Sequence, residues 1–411
     1  MRATTLLATI LGVKKTKVKA VSMGAEGVVV DVAPDARVPY CSGCLHPVHE
    51  VHDRRERCWR HLDLAGMKLE LRYVLRRVTC PKCGVCVELV PWADAGSWFT
   101  HDFEEHVAYL AQTTDKTTIV GTMRVAWRTV GAILARIIDR FRPGDPLEGL
   151  THIGIDELSY RRHHEYITVV IDHVAKRVVW ARPGKDAATL SEFFKELGTE
   201  RCKKLEAVTI DMSAAYIKAV TEASTEAQLI FDRFHVQRLA HNALDEVRRA
   251  EVRDVKGTEE GKALKRMRFI LHKRLWNLTD IEGQKLATLE RSNGPTYRGS
   301  LLKESLAEIL DGLDLDVARV KLEEWTGWAS RSRLEPFVKL ARTVKNHFEG
   351  ILAYIPERLN NGRTEGMNGK IRTITRRSFG FHSASNLIAL IFLCCSGIEL
   401  QPVLKFVQSV H

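Results

Sequence analysis

The stretch His152-Ile-Gly-Ile-Asp156 decides how the central part of this 411-residue chain is interpreted. It is a short apolar run that ends on a carboxylate, which is typical of a buried β-strand. A second run of this kind, Ala207-Val-Thr-Ile-Asp211, lies further along the chain. An aspartate at a strand end is most often a turn or helix cap, so the surrounding elements must decide its meaning.

The elements around the two aspartates predict an α/β core. Three strand-like runs come first, then a helix, a strand, a helix, a strand and a long helix; the strands are at 152–156, 166–172, 177–181, 207–211 and 228–231, and the first helix is at 187–197. This is the order of a ribonuclease-H-like fold, in which the first and fourth strands lie side by side. We therefore expect Asp156 and Asp211 to meet.

A third acid, Glu365, opens a predicted helix in Asn361-Gly-Arg-Thr-Glu365-Gly-Met-Asn368. Three crowded carboxylates repel one another unless cations neutralise them. They suit two magnesium or manganese ions that promote phosphoryl transfer. We expect Asp156 to bridge the two ions, Asp211 to hold one and Glu365 to hold the other.

Other polar residues near these motifs are second candidates for the same site. Glu157 and Asp232 are alternative carboxylates, and His235 is a candidate accessory residue that contacts the scissile phosphate or orients a ligand. The region around Glu365 is strongly basic, and we expect it to hold DNA phosphates through Arg363, Lys370, Arg372, Arg376 and Arg377.

Two Cys-x-x-Cys pairs, Cys41/Cys44 and Cys80/Cys83, predict a structural zinc site, because paired knuckles can place four thiolates around one ion. The alternation in 67–75 predicts a strand between them, and together these features indicate a zinc ribbon. The alternative is a pair of reduced, buried cysteine turns. Further candidate ligands are Cys58, Cys86, His46, His49 and His52.

Residues 101–142 carry apolar side chains at helical spacing. A short helix, a turn near Gly121 and a longer helix predict a helix-turn-helix motif. Arg124, Arg128 and Thr129 are then expected at the exposed start of the second helix, where DNA is contacted. Plain helical packing is the alternative.

The net charge of +11 and the pI of about 9.2 favour a polyanionic partner. The longest apolar run, 387–395, is too short to span a membrane and predicts a buried helix. We expect a cytoplasmic protein of several domains; the predicted boundaries are an N-terminal segment at 1–37, a zinc ribbon at 38–97, a helix-turn-helix domain at 98–145, a first part of the core at 150–254, an all-helical insertion at 255–345 and a second part of the core at 346–400.

The chain resembles bacterial insertion-sequence transposases of the ISL-three family, DDE class. The resemblance rests on the paired cysteines, the Arg-Thr-Val sequence at 128–130, Gly154-Ile-Asp156-Glu, Asp211-Met-Ser213 with Tyr216, Asp232-Arg-Phe-His235-Val, and the motif around Glu365. It implies a DDE site at Asp156, Asp211 and Glu365. It also implies that the N-terminal domains bind terminal inverted repeats in double-stranded DNA, and that a homodimer or larger synaptic assembly acts on target DNA at the bacterial nucleoid.

Two other classes of protein remain open at this stage. A non-catalytic DNA-binding regulator would explain residues 1–145 and the charge, but not the arrangement of carboxylates. A tyrosine recombinase or a His-hydrophobe-His nicking enzyme would use a covalent intermediate, and the chain has His163-His164 and several tyrosines but no matching cluster.

Overall fold

The computed structural model describes residues 3–24, 26–142, 144–161, 165–224, 226–357, 361–377 and 384–402. The chain forms two compact units, one of residues 1–143 together with 389–411 and the other of residues 144–388. Over the described part of the chain, no helix has the length and apolar character that crossing a membrane requires.

The first unit contains a five-stranded sheet. Its strands are β1 (Thr16–Gly24), β2 (Gly27–Pro34), β3 (Val51–Leu64), β4 (Met67–Cys80) and β5 (Gly84–Val87), and they follow the helix α1 (Ala3–Leu11). The order is β1-β2-β4-β3, with β5 paired to β4. Because β2 pairs in parallel with β4, the predicted N-terminal segment belongs to the same sheet as the cysteine knuckles.

Three helices follow in the first unit: α2 (His101–Thr113), α3 (Lys116–Met123) and α4 (Trp127–Phe141). The turn between α3 and α4 lies at 124–126, and not near Gly121, which is inside α3. Asp115 caps the start of α3 by accepting hydrogen bonds from the amides of Thr117 and Thr118. The helix therefore begins at Lys116, and it continues past the glycine to Met123. Arg124 ends it in the left-handed conformation, with φ of 52°.

The second unit is built on the sheet predicted for the core. Its strands are β6 (His152–Arg161), β7 (Glu165–Asp172), β8 (Arg177–Pro183), β9 (Ala207–Ile210) and β10 (Gln228–Phe231), in the order β10-β9-β6-β7-β8. The antiparallel strands β6, β7 and β8 form one side, and β9 and β10 run parallel to β6. The prediction that the first and fourth strands are neighbours is confirmed.

Helices surround this sheet and fill the region between Asp232 and Glu365. They are α5 (Ala187–Leu197), α6 (Thr199–Cys202), α7 (Ala214–Ala223), α8 (Arg233–Asp254), α9 (Glu259–Arg266), α10 (Arg268–His272), α11 (Asp280–Ser292), α12 (Pro295–Asp311), α13 (Leu315–Arg331), α14 (Glu335–Asn346), α15 (Phe348–Leu352), α16 (Tyr354–Glu357) and α17 (Asn361–Arg377). Residues 255–345 contain helices and one 3-10 turn, as predicted. A continuous apolar core joins these helices to the sheet. The predicted helix at 387–395 is part of α18 (Ala384–Cys395).

Candidate functional site

Two aspartates lie on adjacent strands in the second unit: Asp211 directly follows β9, whereas Asp156 lies within β6, which continues to Arg161 because its pairing with β7 extends beyond the predicted end at 156. Strand β6 pairs in parallel with β9, and the last registered pair is Gly154 with Thr209. Asp156 and Asp211 each come two residues later, so the register carries both to the same edge of the sheet. Their charges interact, which means that the fold brings together two acids that are far apart in the sequence.

The surroundings of Asp156 disfavour its charged form. Burial is the main cause that raises the pKa of Asp156, and the charge of Asp211 adds to it. The Glu157 amide, which donates to Asp156 Oδ1 at 2.7 Å, lowers this pKa, as do His235 and Arg372. The residues present fit a divalent cation, because a cation would remove the repulsion between the two carboxylates.

A third carboxylate, Glu157, lies beside this pair. Burial, followed by the charge of Asp211, raises the pKa of Glu157, and a hydrogen bond with Tyr216 lowers it. Tyr216 is fully buried on α7, and its hydroxyl lies 2.8 Å from Thr168 Oγ1. Thr168 in turn donates to the carbonyl of Gly184 at 2.9 Å. These hydrogen bonds connect α7, the helix after Asp211, to strands β6 and β7.

Residues 232–238 open α8 after the last strand of the sheet. Asp232 caps the helix, accepting the amide of Phe234 at 2.6 Å. His235 Nε2 lies 3.5 Å from Asp232 Oδ2, and Arg238 Nη2 lies 2.8 Å from His235 Nδ1. A guanidinium only donates hydrogen bonds, so Nδ1 accepts and the Nε2 proton faces Asp232. Arg238 was not predicted from the sequence, although its position three residues after His235 in a helix indicates that the two side chains can meet.

Helix α17 packs against β6 and contains the predicted third acid. Glu365 and Arg363 belong to this helix, but their side chains lie outside the described residues. Position 365 precedes Arg372 by two helical turns on the same face, and Arg372 is near enough to Asp156 to lower its pKa. Lys370, Arg372 and Arg376 are exposed, and Arg377 is partly buried.

Four cysteines converge in the first unit. Their sulfur atoms all lie within 4.8 Å of one another, and the residues are Cys41, Cys44, Cys80 and Cys83. Four sulfurs bound tetrahedrally to one zinc ion are about 3.8 Å apart, so the set fits this metal. Hydrogen bonds from the Cys44 and Gly43 amides lower the pKa of Cys41 to about 6, which favours the thiolate that zinc requires. Gly43 lets Cys83 approach, because a Cβ there would lie 3.1 Å from its sulfur.

The additional cysteine and histidine candidates have other surroundings. Cys86 Sγ lies 3.3 Å from Cys41 Sγ but is outside the group of four. His46 Nδ1 lies 2.8 Å from the carbonyl oxygen of Cys44. His49 and His52 are exposed, and Cys58 lies within β3, opposite Arg72.

The predicted DNA-contacting residues of the helix-turn-helix differ in their surroundings. Arg128 and Thr129 lie in the first turn of α4, and Arg128 is exposed. Arg124 lies before α4, in the turn, where it forms an ion pair with Asp63 and donates to the carbonyl of Gly66. It therefore connects the helices to the hairpin between β3 and β4.

Comparisons with known families agree with this arrangement along the chain. Residues 37–83 match the zinc-finger of transposase IS204/IS1001/IS1096/IS1165, and residues 88–138 match the helix-turn-helix domain of transposase family ISL3. Residues 153–391, more than half of the chain, match the DDE transposase domain of the ISL3 family. The molecule is therefore a DDE transposase, an enzyme that acts on DNA, and its DNA-binding domains include a zinc ribbon.

The chain belongs to the ISL3 family of transposases. It is 39% identical over 364 residues to the transposase for insertion sequence element IS1557 of Mycobacterium tuberculosis, and the match covers 83% of this chain and 82% of the relative. It is 26% identical over 352 residues to the transposase for insertion sequence element IS1001 of Bordetella parapertussis, with 85% and 86% of the two chains covered. The family resemblance found in the sequence is confirmed.

Proposed function

We propose that Asp156, Asp211 and Glu365 form the catalytic site of this transposase and bind two magnesium or manganese ions. The observation that carries the proposal is the shared register of Asp156 and Asp211 at one edge of the sheet. It is supported by the packing of α17, the helix that contains position 365, against β6, the strand that contains Asp156. The strand order is compatible with a ribonuclease-H-like fold, which we propose for this core.

The chain's own residues would divide the work of strand cleavage and strand transfer. When bound, divalent cations activate a water or a DNA 3′-hydroxyl and stabilise the charge that develops on phosphorus. Asp156 and Asp211 would supply oxygen ligands from adjacent strands, and Glu365 would complete the set from α17. His235 would contact the scissile phosphate through a ring held by Asp232 and Arg238.

DNA would be held by residues outside the carboxylate site. We propose that the zinc ribbon and the helix-turn-helix recognise the terminal inverted repeats, with Arg124, Arg128 and Thr129 in the second motif. The basic residues that follow Glu365 would bind backbone phosphates near the cut; these are Arg363, Lys370, Arg372, Arg376 and Arg377. Joining two ends to target DNA requires at least a dimer in the synaptic assembly, and a location at the nucleoid would follow from this substrate.

The six segments predicted from the sequence enter this proposal with two adjustments. Residues 1–37 would act with the ribbon at 38–97, because β2 and β4 belong to one sheet. The segment 98–145 would bind DNA. Of the predicted second part of the core, 346–400, residues 346–388 would form one catalytic core with 150–254, separated by the helical insertion at 255–345, because 389–400 belong to the first unit.

The test is cleavage of a labelled duplex that carries the DNA flanking this gene. The wild type should cut at the element end with magnesium or manganese, and Glu365→Gln should bind the duplex without cutting it. Glu324→Gln, which removes the charge of an exposed glutamate on α13, is the matched control and should cut normally. Cleavage by Glu365→Gln at the wild-type rate would remove Glu365 from the site. Binding without cleavage by every protein would favour a regulator.

A further inference from the structure

A strongly basic groove lies in the corner between α8 and α9, outside every surface assigned above. Its volume is about 720 Å³, and six of its nine lining residues are basic: Arg248, Arg249, Arg253, Lys256, Lys262 and Lys265. The other three are Val252, Gly257 and Gly261, so no acid lines it. Five of the six cations are exposed, the exception being Arg248.

Three of these cations have no ion-pair partner among the residues that the structure describes. Arg248 and Arg249 pair with Asp245, and Lys262 pairs with Glu259. Arg253, Lys256 and Lys265 form no ion pair with any residue that the structure describes. Like charges gathered on one concave surface repel one another and attract a polyanion.

Two glycines shape the turn between α8 and α9 beside the basic residues. Gly257 adopts φ of +92° in the turn between the helices, a conformation that favours glycine. A Cβ at position 261 would lie 2.5 Å from the carbonyl oxygen of Val255, so glycine is needed there for α9 to pack against the turn.

The spacing of the cations matches a sugar-phosphate strand. Arg249 and Arg253 are one helical turn apart on α8, Lys256 follows in the turn, and Lys262 and Lys265 are one turn apart on α9. From Arg249 to Arg253 the rise of the helix corresponds to about 6 Å. Phosphates of one DNA strand recur about every 3.4 Å along the duplex axis, so this distance corresponds to about two of them.

We propose that this groove binds the phosphate backbone of duplex DNA, independently of its sequence, and so adds a DNA-binding surface where α8 of the core meets α9 of the helical insertion. Neither the helix-turn-helix nor the basic residues after Glu365 contribute to it. Its action does not depend on the carboxylate site, so each proposal can fail separately.

The test measures binding of full-length protein to a fluorescent duplex of unrelated sequence, without added magnesium, between 50 and 200 mM salt. In the triple variant Arg253→Gln, Lys256→Gln and Lys265→Gln, we expect affinity at low salt to fall at least tenfold. The slope of log affinity against log salt should decrease by about 2 to 3, because each phosphate contact contributes about 0.9. Thermal unfolding should stay within a few degrees of the wild type, because all three side chains are exposed.

A matched control removes three positive charges elsewhere in the same unit: Lys195→Gln, Lys204→Gln and Lys218→Gln, all at exposed positions. We expect this variant to keep the affinity and salt slope of the wild type. A groove variant with an unchanged slope would overturn the proposal. Equal losses in both triple variants would also overturn it, since overall charge and not the groove would then account for binding.

Discussion

Asp156 and Asp211 occupy equivalent positions on two adjacent parallel strands, each two residues beyond the registered pair Gly154 and Thr209. Hydrogen bonding between β6 and β9 therefore fixes the relation between the two carboxylates before any ligand binds. Burial is the main cost of charging Asp156 and the charge of Asp211 adds to it, so a bound cation would favour the ionised form of both carboxylates.

Replacing Asp156 with asparagine should separate stability from catalysis. Because burial raises the pKa of Asp156, its ionised form destabilises the fold at neutral pH. Asp156→Asn should therefore melt at or above the wild-type temperature without magnesium, and magnesium should no longer raise that temperature. Cleavage should fall by at least about 100-fold, since the metal ligand supplies several kcal/mol of transition-state stabilisation.

Differential scanning fluorimetry with and without magnesium checks the first part, and the cleavage assay checks the second. Asp139→Asn, at an exposed position of α4, is the control and should change neither the magnesium response nor cleavage. A metal-free Asp156→Asn protein that melts well below the wild type would contradict the inferred repulsion.

The zinc ligands can be tested within the single sequence Cys80-Pro-Lys-Cys83-Gly-Val-Cys86. Cys83→Ser should lose bound zinc and weaken binding to the element ends, while Cys86→Ser should retain about one zinc ion per chain. The reason is that Cys83 belongs to the group of four sulfurs, whereas Cys86 only contacts one of them. Elemental analysis of purified protein gives the zinc content, and the opposite pattern would exchange the roles of the two cysteines.

The hydroxyl of Tyr216 should matter for metal binding although it lies beneath the site. Tyr216→Phe keeps the buried ring but removes the hydroxyl that contacts Thr168 and Glu157, so Glu157, the alternative carboxylate of this site, is no longer held beside Asp211. We expect the free energy of unfolding to fall by about 1 kcal/mol, which is the usual contribution of a buried hydrogen bond. Manganese affinity should fall about tenfold, as is common when a residue that orients metal ligands is changed.

Tyr297→Phe is a suitable control for this experiment, because Tyr297 also donates to a glutamate, Glu290, at 2.8 Å, but in an exposed contact of the insertion. Isothermal titration with manganese compares the two variants. If they bind manganese equally well, Tyr216 has only a packing role.

The sequence predicted the order of the core elements because apolar runs of strand and helix length are local patterns. It identified both acids, and the parallel pairing of β6 with β9 followed from that order, but the predicted strand end at Asp156 was wrong because β6 continues to Arg161. Contacts between distant segments left no such pattern. The ion pair of Arg124 with Asp63 and the hydrogen bond of Thr168 with Tyr216 depend on tertiary packing alone.

A pair of stacked histidines lies between α8 and α10 and should make the stability of this part of the second unit depend on pH. The rings of His241 and His272 lie 5.0 Å apart at an angle of 17°. Burial, together with the charges of Lys303, His272 and Arg274, lowers the pKa of His241 to about 4. An unfolded histidine has a pKa of about 6.5, so protonation favours the unfolded chain.

The contribution of His241 is therefore fully present above pH 6.5 and is lost as the pH falls towards 4. We expect the melting temperature of the wild type to drop across this window, and the drop to be smaller in His241→Gln, whose side chain does not titrate. His49→Gln, at an exposed position of the first unit, should follow the wild type. Melting curves at pH 7, 6 and 5 measure the slope for each protein. Parallel slopes for wild type and His241→Gln would show that another group causes the acid sensitivity.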